Sequence, residues 1–154
     1  MRRWLLASLA LVLLASCIQD PPGDAALWRD AGGSVVVESR PCPGDVLDRV
    51  TLVNPANGVV GDDDDLVYWQ VGRSVEGAPS PPSIVTGSVP EGFLQTAPLL
   101  PLPTDSQLTA WVQTRREEYV IEFRPADLRT DTWLADSGGM KSPSEFDRGA
   151  LGDC

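Results

Sequence analysis

Apolar and polar residues alternate with a period of two along much of the chain beyond residue 34, the signature of half-buried strands. Ser34-Val35-Val36-Val37-Glu38 is short and β-branched, and Arg49-Val50-Thr51-Leu52-Val53 alternates. Leu66-Val67-Tyr68-Trp69-Gln70-Val71 is rich in strand formers, and Ser83-Ile84-Val85-Thr86 is a weaker strand. The clearest pair lies at 107–123. Leu108, Ala110 and Val112 share one face of the first strand, and Tyr119, Ile121 and Phe123 share one face of the second. Thr114-Arg115-Arg116-Glu117 joins them as a hairpin turn, and Asp131-Thr132-Trp133-Leu134 closes the series.

No stretch holds a helical period over three turns, and 14 Gly with 14 Pro interrupt most candidate helices. Short strands separated by turn residues predict an all-β domain, a single immunoglobulin-like β-sandwich of about seven strands over 34–154. Seven prolines between Pro79 and Pro103 mark a long connection with little room for paired backbone.

The first sixteen residues follow a different pattern. Arg2 and Arg3 supply positive charge, an apolar run covers 4–14, and the small residues Ala15 and Ser16 precede Cys17. A charged start, a short apolar core and a small-residue cleavage site make a secretory signal peptide over 1–16. A spanning helix needs roughly 20 apolar residues, more than this run offers. Residues 17–33 contain Pro21-Pro22-Gly23 and Gly32-Gly33 and read as a flexible tether.

Leu14-Ala15-Ser16-Cys17 resembles the lipobox of bacterial lipoproteins. That resemblance implies cleavage between Ser16 and Cys17 and a lipid on the Cys17 thiol. The mature chain would then be anchored to the extracytoplasmic face of the cell membrane or the outer membrane. Two or three acyl chains would make the anchor stable, because each buried CH₂ contributes about 0.8 kcal/mol. Val89-Pro90-Glu91-Gly92-Phe93 followed by Pro98-Leu99-Leu100-Pro101 is loosely similar to segments of small exported lipoproteins of unknown function, and that similarity carries no activity with it.

Export changes the reading of the cysteines. The chain has three, and with Cys17 lipidated, Cys42 and Cys154 remain in an oxidising compartment. They are expected to form a disulfide that ties the last residue to the start of the domain.

Charge removes some function classes. The net charge is −10, and loss of Arg2 and Arg3 with the signal peptide takes it to about −12. Such a surface disfavours nucleic acid, whose binding depends on Lys and Arg at phosphates. Histidine is absent, which removes the commonest general base and metal ligand. No cofactor is expected beyond the lipid.

Few constellations carry chemistry. Asp62-Asp63-Asp64-Asp65 offers hard oxygen ligands to Ca²⁺, but the spacing is not that of an EF-hand, and a solvated charged turn is the simpler reading. Asp136-Ser137-Gly138-Gly139 resembles the nucleophile segment of trypsin-like proteases, yet Ala135 precedes it and no histidine exists to take the serine proton. A Ser–Lys pair would have to use Lys141, the only lysine. Paired carboxylates for glycan hydrolysis cannot be chosen among 22 acidic residues. Trp69, Trp111 and Trp133 fall in or near strands, where aromatics ordinarily fill the core or an edge groove. Trp111 stands apart, because it shares its face with Gln107, Thr109 and Gln113 and so forms a candidate binding surface.

The expectation is therefore a lipid-anchored, non-enzymatic binding or structural module of the cell envelope, meeting an envelope protein or glycan. A small hydrolase using carboxylates and a Ca²⁺-dependent adhesion module are the alternatives.

Overall fold

The computed structural model describes residues 23–154 apart from 57, 59, 62 and 153. The signal peptide, Ser16, the lipidation candidate Cys17 and Asp62 lie outside the described residues. Two antiparallel sheets of five strands each pack face to face, so the domain is all-β and sandwich-like, with one short helix. Its ten strands exceed the seven expected.

The first sheet has the order β10-β9-β1-β2-β5 and is built from β1 (Asp24–Arg29), β2 (Val35–Arg40), β5 (Ser83–Val85), β9 (Trp133–Ala135) and β10 (Met140–Lys141). The second has the order β6-β4-β3-β7-β8, from β3 (Leu47–Asn54), β4 (Leu66–Arg73), β6 (Phe93–Ala97), β7 (Leu108–Thr114) and β8 (Glu118–Phe123). Between the sheets lie Leu27, Val35, Val37 and Ile84 from the first and Val50, Leu52, Trp69, Val71, Leu108, Val112, Tyr119 and Ile121 from the second. The alternation read at 108–112 and 119–123 holds residue for residue, with all six apolar positions buried. The hairpin turn also stands, fixed by Thr114, whose N–H donates to the Glu117 carbonyl at 2.8 Å.

The folded domain begins earlier than the pattern implied. Strand β1 lies inside the stretch 17–33 read as a tether, and Ala25, Ala26 and Leu27 are each 0% exposed. The physical reason is the helix α1 (Pro143–Gly152), which covers the outer face of the first sheet. A strand buried on both faces shows a continuous apolar run rather than alternation.

Helix α1 begins with a capping box. The Ser142 N–H donates to Glu145 Oε2 at 2.8 Å, the Glu145 N–H reaches back to Ser142 Oγ at 3.4 Å, and Pro143 occupies the first turn. The Ser142 hydrogen bonds hold the Glu145 carboxyl below the usual carboxylate range. One turn apart, Phe146 and Ala150 face the sheet. Phe146 meets the Trp133 ring edge-on at 5.4 Å, and Trp133 stacks on Trp28 at 5.9 Å, making a second small core with Ala26 and Ala135. Arg40 binds Asp147 at 2.8 Å and Glu38 at 3.1 Å, so the buried Glu38 carboxylate is paired. Past the helix, Cys154 is joined to Cys42 in a disulfide, as the cysteine count predicted.

Candidate functional site

Each sheet has one outer face. That of the first is closed by α1, whereas that of the second carries the side chains that alternation turns away from the core. Register places these in three rows across the sheet. The middle row runs Gln70, Thr51, Trp111, Val120. On one side lies Gly72, Arg49, Gln113, Glu118, and on the other Val67, Val53, Thr109, Glu122. Trp111 is thus on the outward face that the sequence assigned it, while Trp69 is buried in the main core and Trp133 in the small one.

The β3–β4 loop walls this face. Gly61 sits so close to Trp111 that a Cβ there would meet the indole ring at 3.5 Å, and its φ of +101° also favours glycine. Asp65 fixes the loop by accepting from the Ala56 N–H at 2.9 Å and from the Gly61 N–H at 2.8 Å. The acidic run therefore spends one of its carboxylates on shaping the groove, while Asp63 and Asp64 are exposed. Among the described residues, no group of three or more His, Cys, Asp or Glu side chains is placed to hold a metal.

Between the loop and the sheet lies a groove of about 280 Å³, lined by Gly58, Val60, Thr109, Trp111, Glu118, Val120 and Glu122. Beyond Glu118 the same face opens into a polar cavity of about 440 Å³ that includes Arg49, Gln113 and Arg115. Gln113 marks the seam. Its amide nitrogen donates to Glu118 at 2.9 Å, and its Oε1 is buried with no hydrogen-bond partner among the described residues. An apolar ring flanked by amides, hydroxyls and carboxylates can stack on a sugar face while the polar groups answer its hydroxyls.

A second cluster forms where the sequence reading left residues apart. Ser137 Oγ donates to Asp24 Oδ2 and accepts from Lys141 Nζ at 2.5 Å, while Lys141 Nζ lies 3.6 Å from Asp24. Asp24 is 3% exposed and also takes the Ala25 N–H at 2.8 Å. The serine hydroxyl is thus turned toward a carboxylate, and the lysine ammonium contributes donors only. The geometry is that of a latch joining the root of β1 to the β9–β10 hairpin. The sequence named Ser137 with Lys141 only as a would-be dyad, and what it did not give is Asp24, which the hairpin sets against both.

Beside the latch, Asp136 accepts from the Val120 N–H at 3.0 Å and so covers an unpaired donor on the edge strand β8. Burial raises the Asp136 carboxyl above its ordinary value of 3.8, the Val120 bond lowers it, and the Asp24 charge raises it further. A raised folded value means that the native state holds this proton more tightly than the unfolded chain does. Stability from this group is present below 3.8 and is lost as pH rises through the raised value. Asp136→Asn keeps an acceptor for Val120 and removes the charge. It is expected to raise the melting temperature at neutral pH by a few degrees and to flatten that decline. Thermal melts from the carboxylate range to neutrality check this, and identical profiles for the two proteins would refute it.

Comparison of the chain with family models, with curated proteins and with solved structures returned no match. Among the described residues, no helix is long and apolar enough to cross a membrane.

Proposed function

We propose that this protein is a lipid-anchored, extracytoplasmic, non-enzymatic binding module whose ligand is a glycan of the cell envelope. The observation that carries the reading is Trp111, half-buried in a groove on the one sheet face that no helix covers. The exposed Glu118 and Glu122 beside it supply hydrogen-bonding groups, and its own indole N–H has no partner among the described residues. Glycan is favoured over protein because the face offers one ring and many polar groups rather than a broad apolar patch. Within the sandwich class the immunoglobulin-like arrangement is retained. Its support is Trp69, 0% exposed on β4 between two antiparallel sheets, a feature of that fold.

The anchor reading rests on the lipobox-like Leu14-Ala15-Ser16-Cys17. With β1 starting at Asp24 and Gly23 buried beside it, the folded domain begins well before residue 34. Intact mass of membrane-extracted protein, with a Cys17→Ala control, tests the address. A mass for 17–154 plus acyl chains is expected, and an unmodified chain would sink it.

Binding is tested by co-sedimentation with insoluble envelope glycan. Trp111→Ala is expected to weaken retention about fivefold or more, in the range of about 1–3 kcal/mol for a ring stacked on an aromatic side chain. The fold should survive, because Trp111 takes no part in the core. Undiminished retention by Trp111→Ala would overturn the reading. Ser137→Ala is expected to retain full binding, since the latch lies away from this face.

A further inference from the structure

We infer that the polar cavity beside Trp111 receives a carboxylate, so that the glycan is an acidic saccharide. The inference rests on the Trp111 reading and adds the chemical class of the ligand.

Arg73 provides the structural part of the cavity. Its guanidinium, 8% exposed, donates to the Leu47 carbonyl at 2.9 Å and to Ser80 at 3.1 Å, pairs with Asp48 at 3.3 Å and lies over Phe93. Asp48 is thereby engaged. Arg49 and Arg115 line the same cavity, and neither side chain has a hydrogen bond or ion pair among the described residues. Both are exposed at the rim of the cavity, so their guanidiniums are open to a ligand in a chain whose net charge is −10. Planar guanidiniums present paired N–H donors that match a carboxylate.

Charge narrows the anion. The exposed Glu76 is the other acid in the lining, so two uncommitted cations and one uncommitted anion leave a local excess of one positive charge. A carboxylate matches this, whereas a phosphate dianion exceeds it. A Cβ at Gly72, opposite Arg49 in the register, would stand in ordinary contact with the Arg49 Nε at 3.9 Å.

Position ties the cavity to the ring. Arg49 pairs with Gln113, and Trp111 lies two residues before Gln113 on the same face, so Arg49 and Trp111 are diagonal neighbours. Diagonal positions in antiparallel strands lie about 7–8 Å apart, within the reach of one saccharide unit. Gln113, between them in the row, is held by Glu118, which takes its amide nitrogen at 2.9 Å. One unit stacked on Trp111 with its neighbour's carboxylate at Arg49 and Arg115 accounts for the ring and both guanidiniums.

The test uses the full chain in detergent, titrated calorimetrically with a hexuronate oligosaccharide, its carboxyl-reduced counterpart and a sugar phosphate. Wild type is expected to bind the hexuronate at least tenfold more tightly than the other two. An Arg49→Gln/Arg115→Gln double variant is expected to lose that preference while keeping its melting temperature. Trp111→Ala is expected to weaken the hexuronate and its reduced counterpart alike. Equal wild-type binding of hexuronate and reduced oligosaccharide would overturn the carboxylate inference and leave the Trp111 reading standing. So would a preference that survives in the double variant, or tighter binding of the sugar phosphate. Failure of every saccharide to bind would overturn both.

Discussion

Breaking the Cys42–Cys154 bond is expected to destabilise the domain by up to about 4–5 kcal/mol, the chain-entropy value for a loop of this length, and by about 2 kcal/mol at the low end of what native disulfides contribute. The two cysteines are 112 residues apart, so the bond closes nearly the whole described chain. Its structural consequence is local. Cys154 follows α1, and Cys42 lies between β2 and β3. Without the bond, the helix is held to the first sheet by Phe146 and Ala150, and by the Arg40–Asp147 pair. Asp147 is half exposed, so that pair contributes no more than about 1 kcal/mol. Partial undocking uncovers Trp133 and Trp28. A Cys42→Ser/Cys154→Ser variant is therefore expected to unfold at lower urea concentration and to show red-shifted tryptophan emission before the main transition. An unchanged midpoint would mean that the staple contributes nothing to the fold.

Sequence alone revealed the strands that alternate or, like the Val35-Val36-Val37 run of β2, are rich in β-branched residues. Strand β8 buries every second residue, and in β7 Leu108, Ala110 and Val112 face the core opposite the half-buried Trp111 and Gln113, so the period of two was legible in both. Strand β1 is covered on both faces, and its Ala25-Ala26-Leu27-Trp28 run carries no alternation. Strand β6 failed for the opposite reason, since Phe93 is its one buried residue and the rest of that edge strand looks like loop. Helix α1 announced itself only by Ser142-Pro143-Ser144-Glu145, a capping box whose sign was there to be read. The site divides in the same way. Trp111 could be placed on the outward face by parity, but Arg49 and Arg115 read as ordinary surface charges. Strand register and the fold of the β7–β8 turn, which no local pattern contains, bring them to one cavity.

Phe146→Ala, the second change with a large effect, is expected to cost about 3–5 kcal/mol in the oxidised protein, because a fully buried phenylalanine is lost and little can collapse into its place. Its ring contacts Trp133 at 5.4 Å and lies under the Arg40 guanidinium, so its removal loosens both. The same substitution should cost less once the disulfide is gone. In the oxidised chain the end of α1 is fastened beside β2, and a poorly packed helix must remain over the cavity. In the reduced chain the helix can leave, and the entropy of its freed end caps what the cavity can cost. A double-mutant cycle combining Phe146→Ala with the Cys42→Ser/Cys154→Ser pair is therefore expected to show a coupling of about 1 kcal/mol or more, with the combined loss smaller than the sum. Urea unfolding of the four proteins measures it. Losses that add to within about 0.5 kcal/mol would show that the staple and the aromatic wedge act independently, and that α1 stays docked without its covalent tie.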